Sequence, residues 1–148
     1  MYISPIQFCL YIFLNVLVKW VSFNPAERSY PVDIAFLIGS SPSTTQDQWK
    51  ATLDFVKSIA DQFPVSQRGA RIGVISFDTT PRIGFAFNAL TGPQLNNYEV
   101  RRLIDRVTYN NKPTRIDKAL KLANTYLFTP QGGARKDSLK VPTWMFDL

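Results

Sequence analysis

The stretch Gly39-Ser-Ser-Pro-Ser-Thr-Thr45 carries five hydroxyl side chains directly after a compact apolar run, Ile34 to Ile38. Hydroxyls at that density can cap a helix, ligate a hard cation, or line a cradle in which free N–H groups hold an anion. Thr114, which follows the polar run Asn110-Asn111-Lys112-Pro113, places another hydroxyl at the start of a helical segment. Other chemistries are excluded by composition. The chain has no histidine and one cysteine, Cys9, so it has no Ser-His or Cys-His triad, zinc finger or internal disulfide. No two carboxylates are spaced for acid–base work, and we expect no enzymatic activity. Neither Gly-x-x-x-x-Gly-Lys-Ser/Thr nor Gly-x-Gly-x-x-Gly is present. Residues 39–45 are therefore, as an alternative reading, only a weak anion- or phosphate-binding loop.

These residues need a scaffold, and the sequence provides one. With 148 residues, 45% of them hydrophobic, the chain suits one domain with its own core. The net charge of +6 is spread through segments that also carry Asp and Glu, which predicts a solvated surface and no nucleic-acid partner. The densest basic stretch, Lys112 to Lys140, holds seven Lys or Arg against Asp117 and Asp137. Its charges alternate with apolar residues at helical spacing, again the pattern of a solvated helix face. Residues 2–18 are uncharged and mostly apolar, and read as a signal-like segment or short membrane anchor. That predicts an extracellular location, secreted or anchored, with membrane contact only through residues 2–18 if they are not cleaved. Residues 19–31, with Pro25 and Pro31, read as a linker, leaving 32–148 as the domain.

Within that domain, Ile34–Ile38 has the length and type of a strand buried on both faces. Residues 45–63 place Trp49, Leu53, Val56, Ala60 and Phe63 on one helical face, and Thr45 with Gln48 fits a capping box. Arg71–Phe77 reads as a second strand and Arg82–Phe87 as a third, joined as a hairpin across Asp78–Pro81. Gly92-Pro93 begins a second helix with Leu95, Val100, Leu103, Ile104 and Val107 as its apolar positions. A third helix runs to Leu127 with Ile116, Ala119, Leu120, Ala123 and Leu127 inward. This order predicts an α/β three-layer sandwich around a mixed, mostly parallel sheet with one antiparallel hairpin.

Three segments in this order carry a resemblance: Asp33-Ile-Ala-Phe-Leu-Ile running into the serine-rich loop, Arg71-Ile-Gly-Val-Ile-Ser-Phe, and Thr114-Arg-Ile-Asp-Lys-Ala-Leu-Lys-Leu-Ala. Over about residues 32–140 the chain resembles a von Willebrand factor type A (vWA) domain, of the texture found in secreted matrix and adhesion proteins. The resemblance implies a protein-binding module and a position for that family's metal-ion-dependent adhesion site (MIDAS). The family pattern Asp-x-Ser-x-Ser is met by Ser41 and Ser43, and its threonine by Thr114, but Gly39 stands where the aspartate belongs. The site's last aspartate has no matching flanks; Asp147 is its only stand-in. With neutral hydroxyls alone, we expect no cofactor, and Mg²⁺ or Mn²⁺ bound weakly if at all.

The family sheet runs 3-2-1-4-5-6. In this chain the fourth strand is expected to fail, because Pro142 interrupts Leu139–Val141 where a central strand would run. That predicts an incomplete, partial vWA domain whose first strand keeps a bare edge open to self-association. The alternative function is then a truncated product that needs a partner chain to fold.

Overall fold

The computed structural model describes residues 31–145. Residues 1–30, including the signal-like segment and most of the linker, and Asp147 lie outside the described residues. Four strands, β1 (Val32–Gly39), β2 (Ala70–Phe77), β3 (Arg82–Phe85) and β4 (Leu139–Met145), form one sheet in the order β3-β2-β1-β4. β1 is parallel to β2 and to β4, and β2 is antiparallel to β3, so the sheet is mixed with one hairpin. Every residue of β1 is buried, as its uninterrupted apolar run requires of a central strand.

Helix α1 (Gln46–Ala60) begins at the expected capping box. Gln48 N–H donates to Thr45 Oγ1 (3.2 Å), and the Thr45 N–H donates back to Gln48 Oε1 (2.8 Å). Trp49, Leu53, Val56 and Ala60 are buried along one face of α1, with Phe63 just beyond its end. They pack with Val32, Ile34, Phe36 and Ile38 of β1, and with Val100 and Ile104 of α2 (Asn97–Ile104). The opposite sheet face buries Ala35, Leu37, Ile75 and Phe77 against α3 (Ile116–Leu122) and the single π turn Ala123–Leu127 that continues it. This is the predicted three-layer arrangement.

Three sequence expectations are corrected. The stretch at Gly92-Pro93 is a short 3-10 turn, Gly92–Gln94; α2 starts later, where Asn96 Oδ1 accepts the Glu99 N–H (3.0 Å). In α3 and the π turn after it, Ala119, Ala123 and Leu127 are buried as expected, but Ile116 and Leu120 are exposed. Ile116 is the first residue of α3 and Leu120 lies on the flank of the Ala119–Ala123 line, so α3 buries only a narrow stripe.

The third correction is the fourth strand itself, which forms despite Pro142. The Leu139 N–H donates to the Pro31 carbonyl (2.9 Å), so alternation points the N–H groups of Val141, Thr143 and Met145 toward β1. The Pro142 nitrogen then faces away from β1, where a missing donor breaks no ladder bond. The β1 edge expected to be bare is covered. Among the described residues the edge strands are β3 and β4, and on β4 Lys140 and Pro142 are of the kinds that discourage strand addition.

A buried ion pair ties the bottom of the sheet together. Asp33 in β1 is fully buried, and Arg135 donates to its Oδ1 through Nε (2.9 Å) and Nη2 (2.7 Å). The Arg135 N–H donates to Oδ2 (2.7 Å), and the Ser138 hydroxyl donates to the same oxygen. The guanidinium also reaches the carbonyls of Val32 (2.8 Å), Gly69 (2.9 Å) and Gln67 (3.1 Å). One side chain thereby joins β1, the entry to β2 and the entry to β4. Arg135→Met strands a buried carboxylate and is expected to cost about 3–5 kcal/mol in urea unfolding. Ser138→Ala, which removes one donor, is expected to cost about 1–2 kcal/mol.

Candidate functional site

The three strand and helix connections that carry the predicted site residues meet at the end of the sheet where β1 and β2 finish. The first connection is residues 40–45. Its backbone is closed on itself, with the Thr44 N–H donating to the Ser41 carbonyl (3.1 Å) and the Ser41 N–H to Thr44 Oγ1 (3.0 Å). Ser41 Oγ lies 2.7 Å from Ser43 Oγ and 3.2 Å from Thr44 Oγ1, so the three hydroxyls form one hydrogen-bonded cluster. The N–H groups of Ser41, Thr44, Thr45 and Gln48 all have acceptors within the loop, in place of an anion.

The second connection, residues 78–81, follows β2, and the third spans residues 108–115. Asp78 is almost fully buried; its Oδ1 accepts the Thr80 N–H (2.6 Å) and its Oδ2 accepts from Arg82 Nη1 (3.1 Å). The Asp78 carbonyl accepts the Arg115 N–H (2.9 Å), and Thr79 Oγ1 donates to the Pro113 carbonyl (3.1 Å), which fixes the backbone on either side of Thr114. The third connection also holds the first. Ser40 Oγ donates to the Asn110 carbonyl (2.7 Å), and the Tyr109 hydroxyl donates to the Thr44 carbonyl. With its nitrogen turned toward the loop, the Asn111 amide donates to the carbonyls of Pro42 (3.1 Å) and Ser41 (3.3 Å). Ser41, Ser43 and Thr114 are thus carried by connections that hydrogen-bond to one another.

Gly39 ends β1 beneath this cluster. A Cβ at Gly39 would lie 3.0 Å from Phe77 Cζ and 3.2 Å from its Cε2, so the Phe77 ring crowds the position that any side chain would start from. Among the described residues no three His, Cys, Asp or Glu side chains cluster as a metal would require. Burial pushes the Asp78 carboxyl up, but the Thr80 N–H, the Arg82 guanidinium and the charge of Lys112 outweigh it and hold it below the ordinary 3.8. Exposed Asp117 is held at about 2 by the Arg115 guanidinium, which donates to it twice (2.8 and 2.7 Å). Asp78 and Asp117 are therefore each committed to an arginine.

Sequence reasoning singled out the hydroxyls and missed the groups that brace them: Asp78, Arg82, Tyr109, Asn110 and Asn111. Asp78 and Arg82 had a signal, an acid closing a strand with a cation four residues on; the Tyr109 and Asn110 contacts span about 65–70 residues and had none. Beside Tyr109 the surface opens into a cleft of about 410 Å³ lined by Trp49, Lys50, Leu53, Asp54 and Val107, with the Trp49 and Tyr109 rings 5.6 Å apart.

Because the folded value of Asp78 is depressed, its contribution to stability is complete above the unfolded value near 3.8. That contribution is lost as pH falls through the lower folded value. Asp78→Asn is expected to lose about 1–3 kcal/mol near neutral pH and to flatten the acid limb of the stability curve below about pH 4. Urea unfolding across a pH series checks both.

Comparison with known proteins agrees with this geometry. The family model of the von Willebrand factor type A domain matches residues 33–145. Mouse matrilin-2 is 29% identical over 112 residues, 76% of this chain and 11% of that protein. Mouse integrin alpha-X is 32% identical over 123 residues, 81% of this chain and 10% of that protein. The chain thus spans about a tenth of either relative. Among solved structures, proximal thread matrix protein 1 of the mussel byssus, with a zinc-occupied MIDAS motif, superposes with a TM-score of 0.71 at 22% identity. That match covers 78% of this chain and 31% of that one. With its model matched from β1 to the end of β4, the chain belongs to the von Willebrand factor type A domain family.

Proposed function

We propose that this chain is a non-enzymatic, extracellular protein-binding module of the adhesion and matrix type, whose apical loops work without a metal ion. Its relatives, a matrilin and an integrin alpha chain, are proteins of the extracellular matrix and cell surface, which supports the compartment and a protein ligand. The observation that carries the metal-free reading is Gly39. Mg²⁺ gives up its water reluctantly and is held in proteins by one or two carboxylates. At the matching position this chain has no side chain, and the Phe77 ring lies within 3.0 Å of where one would begin. Ser41, Ser43 and Thr114 would be left to meet an ion with neutral oxygens, and the first two already share a hydrogen bond. Asp78, the nearest buried acid, is bound to Arg82 and the Thr80 N–H, and drawing it to an ion would strip Arg82 of its partner.

Calorimetric titration of Mg²⁺ and Mn²⁺ into the full chain tests this. The expected result is no saturable binding tighter than about 1 mM. Gly39→Asp alone is expected to cost about 1–3 kcal/mol, since Phe77 must yield a few tenths of an ångström, and to raise metal affinity relative to the parent. Stoichiometric binding of either ion by the unmodified chain would overturn the metal-free reading.

A further inference from the structure

The basic stretch of the sequence folds into something more local than a solvated helix face. Lys112, Arg115, Lys118 and Lys121 recur every third residue: Lys112 stands in the connection, Arg115 immediately precedes α3, and Lys118 and Lys121 lie on α3, where a step of three advances about 4.5 Å along the helix. The turn after β2 gathers the upper members. Lys118 Nζ donates to the Thr79 carbonyl (3.4 Å), the Arg115 N–H donates to the Asp78 carbonyl, and Arg82 joins from the other side through Asp78. The charge of Lys112 is close enough to depress Asp78.

Five cations thus share this corner with two carboxylates, Asp78 and Asp117, each bound by an arginine. Among the described residues Lys112, Lys118 and Lys121 enter no ion pair, and all three are exposed. Elsewhere on the described surface Lys57 is answered by Asp54 and Asp105, Arg101 by Asp61 and Arg102 by Glu99, while the other exposed cations in no ion pair, such as Lys50, Arg68, Arg106 and Lys136, stand on separate segments of the chain. Three like charges in a row with no counter-charge raise the local potential and attract a partner with repeating negative charge.

We propose that this stripe, from Lys112 along α3 to Lys121, binds a linear sulfated polysaccharide. Regularly spaced, fully ionised sulfates match ammonium groups a few ångströms apart on a convex helix. A glycan of the extracellular surface also suits the compartment proposed above better than a nucleic acid. The stripe's ammonium groups are not among the Ser41, Ser43 and Thr114 positions, so its test is read separately from metal binding there.

Binding of the full chain to fluorescein-labelled heparin, followed by anisotropy in 50–200 mM NaCl, is the experiment. The expected result is saturable binding that weakens steeply with salt, as counterion release requires. The triple variant Lys112→Ala/Lys118→Ala/Lys121→Ala should bind at least about tenfold more weakly and with a shallower salt slope. A control triple, Lys50→Ala/Arg68→Ala/Lys136→Ala, should bind as the parent does. All these side chains are exposed, and circular dichroism is the check that each variant folds. Equal losses in both triples, or no binding by the parent, would overturn the proposal. Equal or tighter binding of a DNA duplex under the same conditions would overturn its assignment to a glycan.

Discussion

The Asp33 carboxylate is the constraint on which the rest of this structure depends. It sits at the start of the central strand with no access to water, where an unpaired charge would cost several kcal/mol. Arg135, more than a hundred residues away, answers it twice, and the remaining oxygen is filled by a backbone N–H and a hydroxyl. The guanidinium then spends its other donors on carbonyls of β1 and of the turn into β2. That one cation sets where β4 begins beside β1, and so fixes the parallel register from Val32↔Leu139 to Ile38↔Met145.

The opposite end of the sheet follows from that register. Once β1 and β2 are locked in parallel, their ends bring the 40–45 and 78–81 connections together, and α3 must start beside them. Here the chain uses its polar groups on itself. Ser41, Ser43 and Thr44 bond to one another, Ser40 and Tyr109 hold the neighbouring connection, and Asp78 is consumed by Arg82 and a turn N–H. The same loops that in a metal-dependent relative would converge on an ion are, in our reading, a self-satisfied cap with a positively charged shoulder. Hydrogen bonds among the loops and the Asp78–Arg82 pair keep the shape.

Much of this was legible in the sequence because it rests on local pattern. The apolar run of β1, the Thr45–Gln48 capping box, the hairpin across Asp78–Pro81 and the Trp49-to-Phe63 face each follow from spacing within one element. What sequence could not give was the direction in which a backbone nitrogen points. Pro142 argued against a fourth strand only if its nitrogen faced β1, and the register decides that it does not. The exposure of Ile116 and Leu120 is of the same kind, since a helical period says which residues share a face but not how much of it a flat sheet covers. At the site, the hydroxyls were visible as a motif, whereas the groups that brace them come from connections far apart in the chain.

The central claim is that a vWA fold is maintained here without an ion at its apical loops, and thermal unfolding measures this most directly. An ion that binds only the folded chain stabilises it, by about 2.7 kcal/mol at a hundredfold excess over its Kd. The full chain should melt at the same temperature in excess Mg²⁺ or Mn²⁺ as in EDTA, once ionic strength is matched. A rise of several degrees with either ion, reversed by EDTA, would contradict the account, because it would mean that the folded loops hold a metal through groups other than Gly39.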